Sequence, residues 1–421
     1  MVQKSRSIAM ISYHTCPLAN EEGKETGGMN IYVLELARNL VRIGYKVDIF
    51  TRSHESNDKL VTIVEPNLRV MHIQGGPQII IPKRQIHLHL DDFTDHLFAF
   101  IQGEGFPYDI VHAHYYLSGL VVKKLLYRET YKSIQQVSFI LSFHTLAIMK
   151  NLVARDNDEK EEKRRIDAEI ALSKQADTII APSDSEKSYL HYLYNVPLSK
   201  ISVIPPGVDT KLFHPMQKEI AKQHIGIPKY HRMILFVGRI EPLKGIDVLM
   251  YAVKILIKRN SSQPICLYIV GGDVSGHQRS WSSQLKMLNN LRKILAMETS
   301  VQFLGEQKQH DLPYFYNAAE MVVMPSHYES FGMVALEAMS CGVPVITTNV
   351  TGISSIIDEK HAQFISSVHN PLLLASQMEY LLRNTEKRKI MGTELRNNIF
   401  DLSWSNIAER IGCLYENSIT K

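Results

Sequence analysis

A chain of 421 residues is too long for a single hydrophobic core, so its length predicts two domains. Its 45% hydrophobic and 21% charged residues are ordinary for a soluble globular protein. The net charge is only +4 and no long basic stripe is present, so the sequence does not favour nucleic-acid binding. No apolar stretch approaches the roughly 18 residues that cross a bilayer, although peripheral contact with a membrane stays open.

The four cysteines indicate a reducing environment. Cys16, Cys266, Cys341 and Cys413 form no C-x-x-C pair, and their spacing fits neither a metal knuckle nor a disulfide scaffold. We therefore expect a cytoplasmic protein. The apolar run at 8–11 is too short for the apolar part of a secretory signal and is better explained as a first buried strand.

Along the first half of the chain, short apolar runs alternate with amphipathic segments. The segment 30–44 has apolar residues at helical spacing, which predicts a helix with Asn30 as its N-cap and Gly44 as its C-terminal stop. Alternation of strands and helices predicts a parallel sheet with helices on both faces. The strands predicted in this half are 7–13, 46–51, 109–114, 137–144, 177–183 and 201–207.

The pattern restarts after a segment rich in proline and glycine at 204–215. This restart predicts an α/β protein of two Rossmann-like, doubly wound domains, 1–206 and 207–403, that face a central cleft. Ligands of such sheets bind beyond the carboxyl ends of the strands. The strands predicted in the second half are 233–240, 265–272, 301–305, 320–326 and 343–348, and a helix is predicted to begin near Gly245.

Two cations follow the first strand of the second half, in the stretch FVGRIEPLKG. Arg239 and Lys244 would lie at the carboxyl edge of the sheet, where two fixed cations can clamp a diphosphate. Two solvated surface charges would produce the same sequence, so this motif alone leaves both interpretations open.

The stretch SHYESFGMVALEAMSCGVPVI, at 326–346, predicts a helix that Gly342 and Pro344 end. Its start would leave free backbone N–H groups that favour an anionic ligand, and a glycine there lets the backbone approach that ligand closely. The residues predicted at this helix start are Ser330, Phe331, Gly332 and Met333.

Two glutamates flank the same segment. Glu329 would precede the helix, and Glu337 would lie about two turns further along. A carboxylate is a strong acceptor for paired sugar hydroxyls, so the two could hold two sugars of one ligand. The alternative is that Glu337 is a surface residue, but its neighbours are apolar and an unpaired glutamate would be costly among them if buried.

Glycines and histidines give weaker signals. Gly28, in GGMN, frees the backbone at the start of the first helix, but no G-x-G-x-x-G dinucleotide fingerprint is present. The pairs HAH and HLH lack an acidic or thiol partner at ligand spacing, so we predict no metal site. His112 is best explained as a core histidine bonded to backbone, whereas His144, at a strand end, is a site candidate.

Together these motifs resemble the family-4 retaining glycosyltransferases, which have the GT-B architecture. The resemblance spans 13–346 and is carried by GGMN, HAHYYLSG, FHTLAIMKN, RRIDAE, VIPPGVDTKLFHP, FVGRIEPLKG and the stretch at 326–346, with LSWSNIAERIGCLY near the end also matching. It implies that the first domain binds the acceptor and is completed by a helix at 404–421, and that the second domain binds a nucleotide sugar.

The resemblance also implies a donor site. Arg239 and Lys244 would hold the diphosphate and offset its charge in place of a metal, so no cofactor is expected. Glu337 would bond the ribose hydroxyls, and Glu329 would bond hydroxyls of the donor sugar. The other donor contacts that it implies are Gly28, His144 beside the reacting carbon, and the amides of 330–333.

Within the family, the motifs resemble D-inositol-3-phosphate glycosyltransferases and, nearly as well, sucrose-phosphate-synthase-type enzymes. Both use acceptors that carry a phosphate, on which cations and hydroxyls would converge. The acceptor residues that this implies are Asn30, Lys83, Tyr115, Thr145, and Arg164 or Arg165. The two arginines lie in a charge-dense run, so a solvated position is equally compatible with the sequence.

We therefore expect a retaining transferase that moves a hexosyl or N-acetylhexosaminyl group from a nucleotide sugar, with UDP as the expected nucleotide, to a phosphorylated cyclitol or sugar. The alternatives are transfer to a lipid or polysaccharide acceptor, which would place an exposed apolar or basic patch on the first domain, and a two-domain binding protein without chemistry. The sequence leaves the oligomeric state open, a homodimer included.

Overall fold

The computed structural model describes residues 6–19, 27–56, 58–82, 84–105, 108–128, 137–260, 264–279, 281–349, 352–367 and 369–419. The chain divides into two compact units. The first comprises Met1–Gly207 and Trp404–Lys421, and the second comprises Val208–Ser403. The division after Gly207 is one residue from the predicted boundary.

The first unit is built on an eight-stranded sheet in the order β3-β4-β2-β1-β5-β6-β7-β8. Every pairing is parallel except that of β3 with β4. Strands β1, β5 and β6 are almost wholly buried, as expected for parallel strands covered on both faces. The strands are β1 (Ser7–Ile11), β2 (Lys46–Arg52), β3 (Val61–Glu65), β4 (Leu68–Ile73), β5 (Ile110–His114), β6 (Ser138–Ser142), β7 (Thr178–Ala181) and β8 (Ile201–Val203).

The hairpin of β3 and β4 corrects the predicted all-parallel sheet. Its turn contains Asn67 with φ 67°, a left-handed conformation that asparagine tolerates. Because β3 is the edge strand and is only partly buried, its sequence mixes polar and apolar residues and gives little strand signal.

Seven helices are described in the first unit. The last of them packs on the first helix and on β6, although it follows the second unit in the chain. The helices are α1 (Gly28–Arg42), α2 (Leu90–Gly103), α3 (Tyr116–Leu126), α4 (Ala147–Val153), α5 (Lys163–Gln175), α6 (Asp184–Tyr194) and α14 (Trp404–Ile419).

Helix α1 begins earlier than its apolar pattern predicts. The N-cap is Gly27, without a side-chain cap, and Asn30 lies inside the first turn. Asn30 as N-cap is therefore wrong: its amide instead donates to the Cys16 carbonyl at 2.9 Å, which commits the side chain to the preceding loop. Gly44 follows the helix end with φ 102°, as expected for the residue that stops a helix.

The second unit carries a six-stranded sheet in the order β11-β10-β9-β12-β13-β14, with all named pairings parallel. Its strands are β9 (Arg232–Val237), β10 (Ile265–Val270), β11 (Val301–Gly305), β12 (Met321–Met324), β13 (Val345–Thr348) and β14 (Ile365–Ser366). Its helices are α7 (Lys218–His224), α8 (Ile246–Arg259), α9 (Ser283–Ile294), α10 (Leu312–Ala318), α11 (Met333–Ser340), α12 (Pro371–Arg383) and α13 (Thr385–Asn398).

Each sheet has one point at which the strand order reverses. In the first unit β1 pairs with both β2 and β5, and in the second unit β9 pairs with both β10 and β12. Ligands of open α/β sheets bind at the carboxyl ends of the strands beside such a reversal. The loops after β1 and β5, and those after β9 and β12, are therefore where side chains are best placed to meet a ligand.

Within the described residues, no helix combines the length and the apolar character that a membrane crossing needs.

Candidate active site

In the second unit, the loops after β9 and β12 pack directly on each other. The His327 amide donates to the Leu243 carbonyl at 2.8 Å. Gly245 caps α8 with φ 65°, and a Cβ at that position would lie 2.2 Å from the Pro325 carbonyl oxygen. Only glycine fits both the backbone conformation and the contact. This packing fixes the loop that carries the predicted cations against the loop that carries Glu329.

Both predicted cations are paired with carboxylates. Lys244 forms an ion pair with Glu329, and their side chains are only 15% and 22% exposed. Arg239 pairs with Glu241 at 2.8 Å, but its side chain is 50% exposed. Lys244 is therefore the better shielded cation, and its charge is less weakened by solvent.

Helix α11 starts at Met333, after Gly332 in the left-handed region at φ 106°. A Cβ on Gly332 would lie 2.9 Å from the Met324 methyl group, so the turn packs tightly against the end of β12. Ser330 and Phe331 precede the helix, and the Phe331 carbonyl accepts from the Ile353 amide at 2.9 Å. Glu337 consequently lies about one turn after the first residue of the helix.

Glu337 is buried, with 5% of its surface exposed, so a surface position is wrong. Its carboxylate accepts a hydrogen bond from the Tyr316 hydroxyl of α10 at 2.5 Å. Burial raises the pKa of Glu337 to about 7, and the hydrogen bond from Tyr316 lowers it in part. A carboxylate with one donor and remaining lone pairs can accept further hydroxyl donors.

Glu337→Gln is expected to stabilise the ligand-free protein at pH 8 by about 3 kcal/mol and to change its stability little at pH 4.5. The folded-state pKa is raised, so the unfolded chain ionises first as pH rises from 4.5 to about 7, and stability is lost across that window. Glutamine keeps the shape and the Tyr316 bond without this loss. Urea unfolding of the wild type and of Glu337→Gln at both pH values measures this difference. Equal free energies of unfolding at pH 8 would show that burial does not raise the pKa of Glu337.

In the first unit, Asn30 joins the loop after β1 to the start of α1. Thr15 donates to the Asn30 side-chain oxygen at 2.8 Å, and only 1% of Asn30 is exposed. Gly28, the first residue of α1, is exposed. Gly28 is thus open to a ligand, whereas Asn30 shapes the loop around it.

Three histidines meet near the carboxyl ends of β5 and β6. The Nδ1 of His114 lies 3.0 Å from the Nε2 of His144, and the His112 ring lies 4.1 Å from that of His114. His112 is fully buried, as predicted, but its partners are the side-chain hydroxyls of Ser142 and Tyr415, not backbone groups. His144 is partly exposed and is the histidine of the three that a ligand can reach.

The HLH sequence lies in a short 3₁₀ helix, Ile86–His89. Among the described residues, no group of three or more His, Cys, Asp and Glu side chains could hold a metal ion.

Two of the predicted acceptor residues, Tyr115 and Thr145, contact the buried guanidinium of a third, Arg165. Arg165 donates to the hydroxyl and the carbonyl of Thr145 at 3.0 and 2.9 Å, and it lies 4.8 Å over the Tyr115 ring. Two carboxylates, Glu161 and Glu169, form ion pairs with it at 2.8 and 2.7 Å. With 2% of its side chain exposed, Arg165 is committed to its own protein neighbours.

Arg164 occupies a different environment, at the surface. It contacts His87, donates to the Arg84 carbonyl at 3.0 Å and pairs with Glu162 at 2.7 Å. Arg164, Arg84 and Tyr116, together with Arg165, help to line a cavity of about 200 Å³, whose other wall is the charged segment 158–162. Lys83, the remaining predicted acceptor residue, lies outside the described residues.

Two family models cover most of the chain. Residues 26–212 match the model for "Glycosyltransferase Family 4", and residues 217–398 match the model for "Glycosyl transferases group 1". The D-inositol 3-phosphate glycosyltransferase of Corynebacterium jeikeium (strain K411) is 35% identical over 97% of this chain and 96% of its own length. This chain belongs to the family-4 glycosyltransferases. The family prediction is confirmed, and the protein is a glycosyltransferase.

One further relative and two solved structures are similar to this glycosyltransferase over nearly its whole length. The D-inositol 3-phosphate glycosyltransferase of Nocardiopsis dassonvillei is 33% identical over 97% of this chain and 94% of its own length. The sucrose-phosphate synthase of Thermosynechococcus elongatus superposes with a TM-score of 0.87 at 28% identity, over 99% of both chains. The Anabaena protein HepE, solved in complex with UDP-glucose, gives a TM-score of 0.74 at 18% identity over 98% of this chain and 99% of its own. The predicted GT-B fold class is confirmed.

Sequence reasoning missed the groups that hold the predicted site residues of the glycosyltransferase in place. Tyr316 gave no signal, because its partner Glu337 is 21 positions away and on another helix. Glu161 lies four residues before Arg165 and Glu169 four residues after it, which is the spacing of side-chain pairs on a helix face. That spacing could have identified the network before the structure.

Proposed function

We propose that this glycosyltransferase moves a hexosyl or N-acetylhexosaminyl group from a UDP-sugar to a phosphorylated cyclitol or sugar, with retention of configuration. The observation that carries the proposal is the pairing of a shielded cation, Lys244, with Glu329 beside the start of α11. A cation, a hydroxyl acceptor and the N–H groups at a helix start are together what a nucleotide sugar requires.

On the donor side, Lys244 and Arg239 bind the diphosphate and stabilise the charge that develops as it departs. Two cations supply the neutralising charge, so the reaction requires no cofactor. Glu337 binds the ribose hydroxyls and Glu329 those of the sugar. Further donor contacts are proposed for Gly28, His144, and the backbone of Ser330, Phe331, Gly332 and Met333.

The chemical step needs no enzymatic nucleophile. The acceptor hydroxyl attacks the anomeric carbon on the face that the diphosphate leaves, and the departing phosphate oxygen accepts the hydroxyl proton. The C–O bond to the diphosphate breaks while the new glycosidic bond forms, so atoms and charges balance. The protein contributes positioning and stabilisation of the leaving group.

On the acceptor side, the surroundings of the two arginines favour Arg164 as the ligand of the acceptor phosphate. Both arginines line the cavity, but Arg165 is buried and already bonds Glu161, Glu169 and Thr145, whereas Arg164 is exposed. The names of the relatives, D-inositol 3-phosphate glycosyltransferases, support a phosphorylated cyclitol. Tyr115, Thr145 and Asn30 are the other residues proposed for the acceptor site.

The test is release of nucleoside diphosphate from UDP- and GDP-sugars with a panel of acceptors. We expect UDP-sugars to be used, and inositol phosphate or a hexose phosphate to accelerate release where the dephosphorylated compound does not. A UDP-sugar at 100 times its Kd should also stabilise the protein by about 2.7 kcal/mol. Use of GDP-sugars alone, or indifference to the acceptor phosphate, would contradict the proposal.

A second candidate function is transfer to a lipid-borne acceptor. It is favoured by Ile79 and Ile80, which are 60% and 81% exposed in the segment just before Lys83. The buried Arg52 holds this segment by donating to the carbonyls of Pro77 and Ile79 at 2.9 and 2.7 Å. The acceptor panel therefore includes an inositol phosphate with an acyl chain, and a clear preference for that compound would favour this function.

We also propose that the protein works in the cytoplasm. All four cysteines are described and none is in a disulfide. Disulfides are rare in the reducing cytosol.

A further inference from the structure

The contact between His114 and His144 requires a proton on one of the two facing nitrogens. The Nδ1 of His114 and the Nε2 of His144 are 3.0 Å apart. Burial lowers the pKa of His144 to about 3 and that of His114 well below its usual value, so both rings are neutral at neutral pH. A neutral imidazole has one N–H donor and one acceptor nitrogen, so one ring must donate to the other.

The second nitrogen of His114 decides the direction. Its Nε2 is buried and has no hydrogen-bond partner in the described part of the chain. If His114 accepted at Nδ1, its proton would be on Nε2, as a buried N–H without an acceptor. Buried orphan N–H groups are rarer than buried acceptors without a donor. The arrangement with the proton on Nδ1, donated to His144, is therefore favoured.

We propose that His114 is a positioning residue that fixes the tautomer of His144. By donating to Nε2, His114 places the single ring proton of His144 on Nδ1, from which His144 donates a hydrogen bond to a hydroxyl of the sugar substrate. His144 is partly exposed, and its Nδ1 makes no hydrogen bond within the described residues. This assignment rests on the proposed function, in which His144 contacts the donor sugar.

Packing holds the two rings in this arrangement. The Tyr32 ring meets His144 edge-on at 5.0 Å and His114 at 5.8 Å, and Trp404 of α14 packs on Tyr32 at 5.4 Å. His144 has φ 62°, a left-handed conformation that is uncommon outside glycine and is kept where the surroundings over-determine it. The last helix thus supports the pair through Tyr32.

The direct test is ¹⁵N NMR of the full chain labelled at histidine, because protonated and bare ring nitrogens differ widely in ¹⁵N shift. We expect His144 to be protonated at Nδ1 and bare at Nε2, and His114 to be protonated at Nδ1. Protonation of His144 at Nε2 in the wild-type protein would overturn the proposal. This measurement needs no substrate, so its outcome stands whether or not the transfer reaction is found.

Two substitutions of His114 test the consequence for the reaction. His114→Leu removes the donor and should lower kcat/KM by roughly tenfold, which is the upper range for one hydrogen bond. His114→Asn places an amide N–H near the former Nδ1 and should restore most of that loss. In the leucine variant the His144 spectrum should show both tautomers.

The matched control is Ser142→Ala, which removes a buried partner of His112 in the same layer and leaves the His114–His144 contact in place. It should lower the thermal stability but not kcat/KM. A monodeoxy donor lacking the bonded hydroxyl should be used equally well by the wild type and by His114→Leu. Equal losses in the leucine and asparagine variants, with unchanged tautomers, would show that His114 only fills space.

Discussion

Replacing Lys244 by methionine lowers kcat by about 10²–10³-fold, the loss expected when a group that faces developing negative charge is removed. The Lys244 side chain is mostly shielded from solvent, so in the proposed donor site solvent would weaken its attraction to the departing diphosphate only a little. The substitution should raise the Kd of the nucleotide by a smaller factor than it lowers kcat, because the charge on the leaving group is largest in the transition state. Nucleoside diphosphate release at saturating donor, with Kd from calorimetry, measures both.

The control variants distinguish the loss of the Lys244 charge from the effect of leaving the Glu329 carboxylate unpaired. Glu329, which Lys244 neutralises, would repel the diphosphate in Lys244→Met, so the double variant with Glu329→Gln isolates the loss of the cation. Arg239→Gln should cost only about tenfold, because solvent screens this half-exposed side chain. Lys258→Met, at the exposed end of α8, should leave kcat unchanged. Wild-type turnover in Lys244→Met would rule out the diphosphate assignment.

The strands that the sequence predicted are largely buried and contain short apolar runs. Strands β1, β5 and β9 were all found within a few residues of their bounds. The edge hairpin of β3 and β4 was missed: β3 is only partly buried, and the buried β4 is interrupted by Arg69 and His72. The bounds of α1 also shifted, because Gly27 caps the helix through its backbone alone and gives no side-chain signal.

At the candidate site, the sequence identified the groups that would meet ligands but not those that orient them. Lys244 and Glu329 were found through their motifs, yet their ion pair joins loops 85 positions apart and has no local signature. The same holds for His114 and His144, which two neighbouring strands bring together. Pairings across parallel strands depend on the register of the sheet, which the sequence does not specify locally.

The second large effect is expected at Arg165, and it concerns stability. Arg165→Met removes the guanidinium that pairs with both Glu161 and Glu169, and it leaves the charge of the fully buried Glu169 without this partner. Breaking a buried ion pair in this way typically costs about 3–5 kcal/mol. Urea unfolding of the variant should therefore show a midpoint far below that of the wild type.

The loss should depend on pH in a defined direction. Burial raises the pKa of Glu169, and the Arg165 guanidinium offsets part of that rise. Without Arg165 the folded-state pKa rises further, so the stability loss should be largest at pH 8 and shrink as pH falls and Glu169 becomes neutral. Arg165→Met combined with Glu169→Gln should recover part of the loss at pH 8, and a loss independent of pH would contradict the network.

Arg164→Met is the matched comparison, one residue away on the same helix. Arg164 is exposed and contacts only surface groups, so its loss should change unfolding little. It should instead raise the KM for the phosphorylated acceptor by about tenfold, because a charge-assisted hydrogen bond to phosphate is removed. The opposite pattern, with acceptor KM sensitive to Arg165→Lys and insensitive to Arg164→Met, would move the phosphate contact to Arg165. Stability and acceptor affinity, measured on both variants, therefore distinguish the two adjacent arginines that the sequence could not.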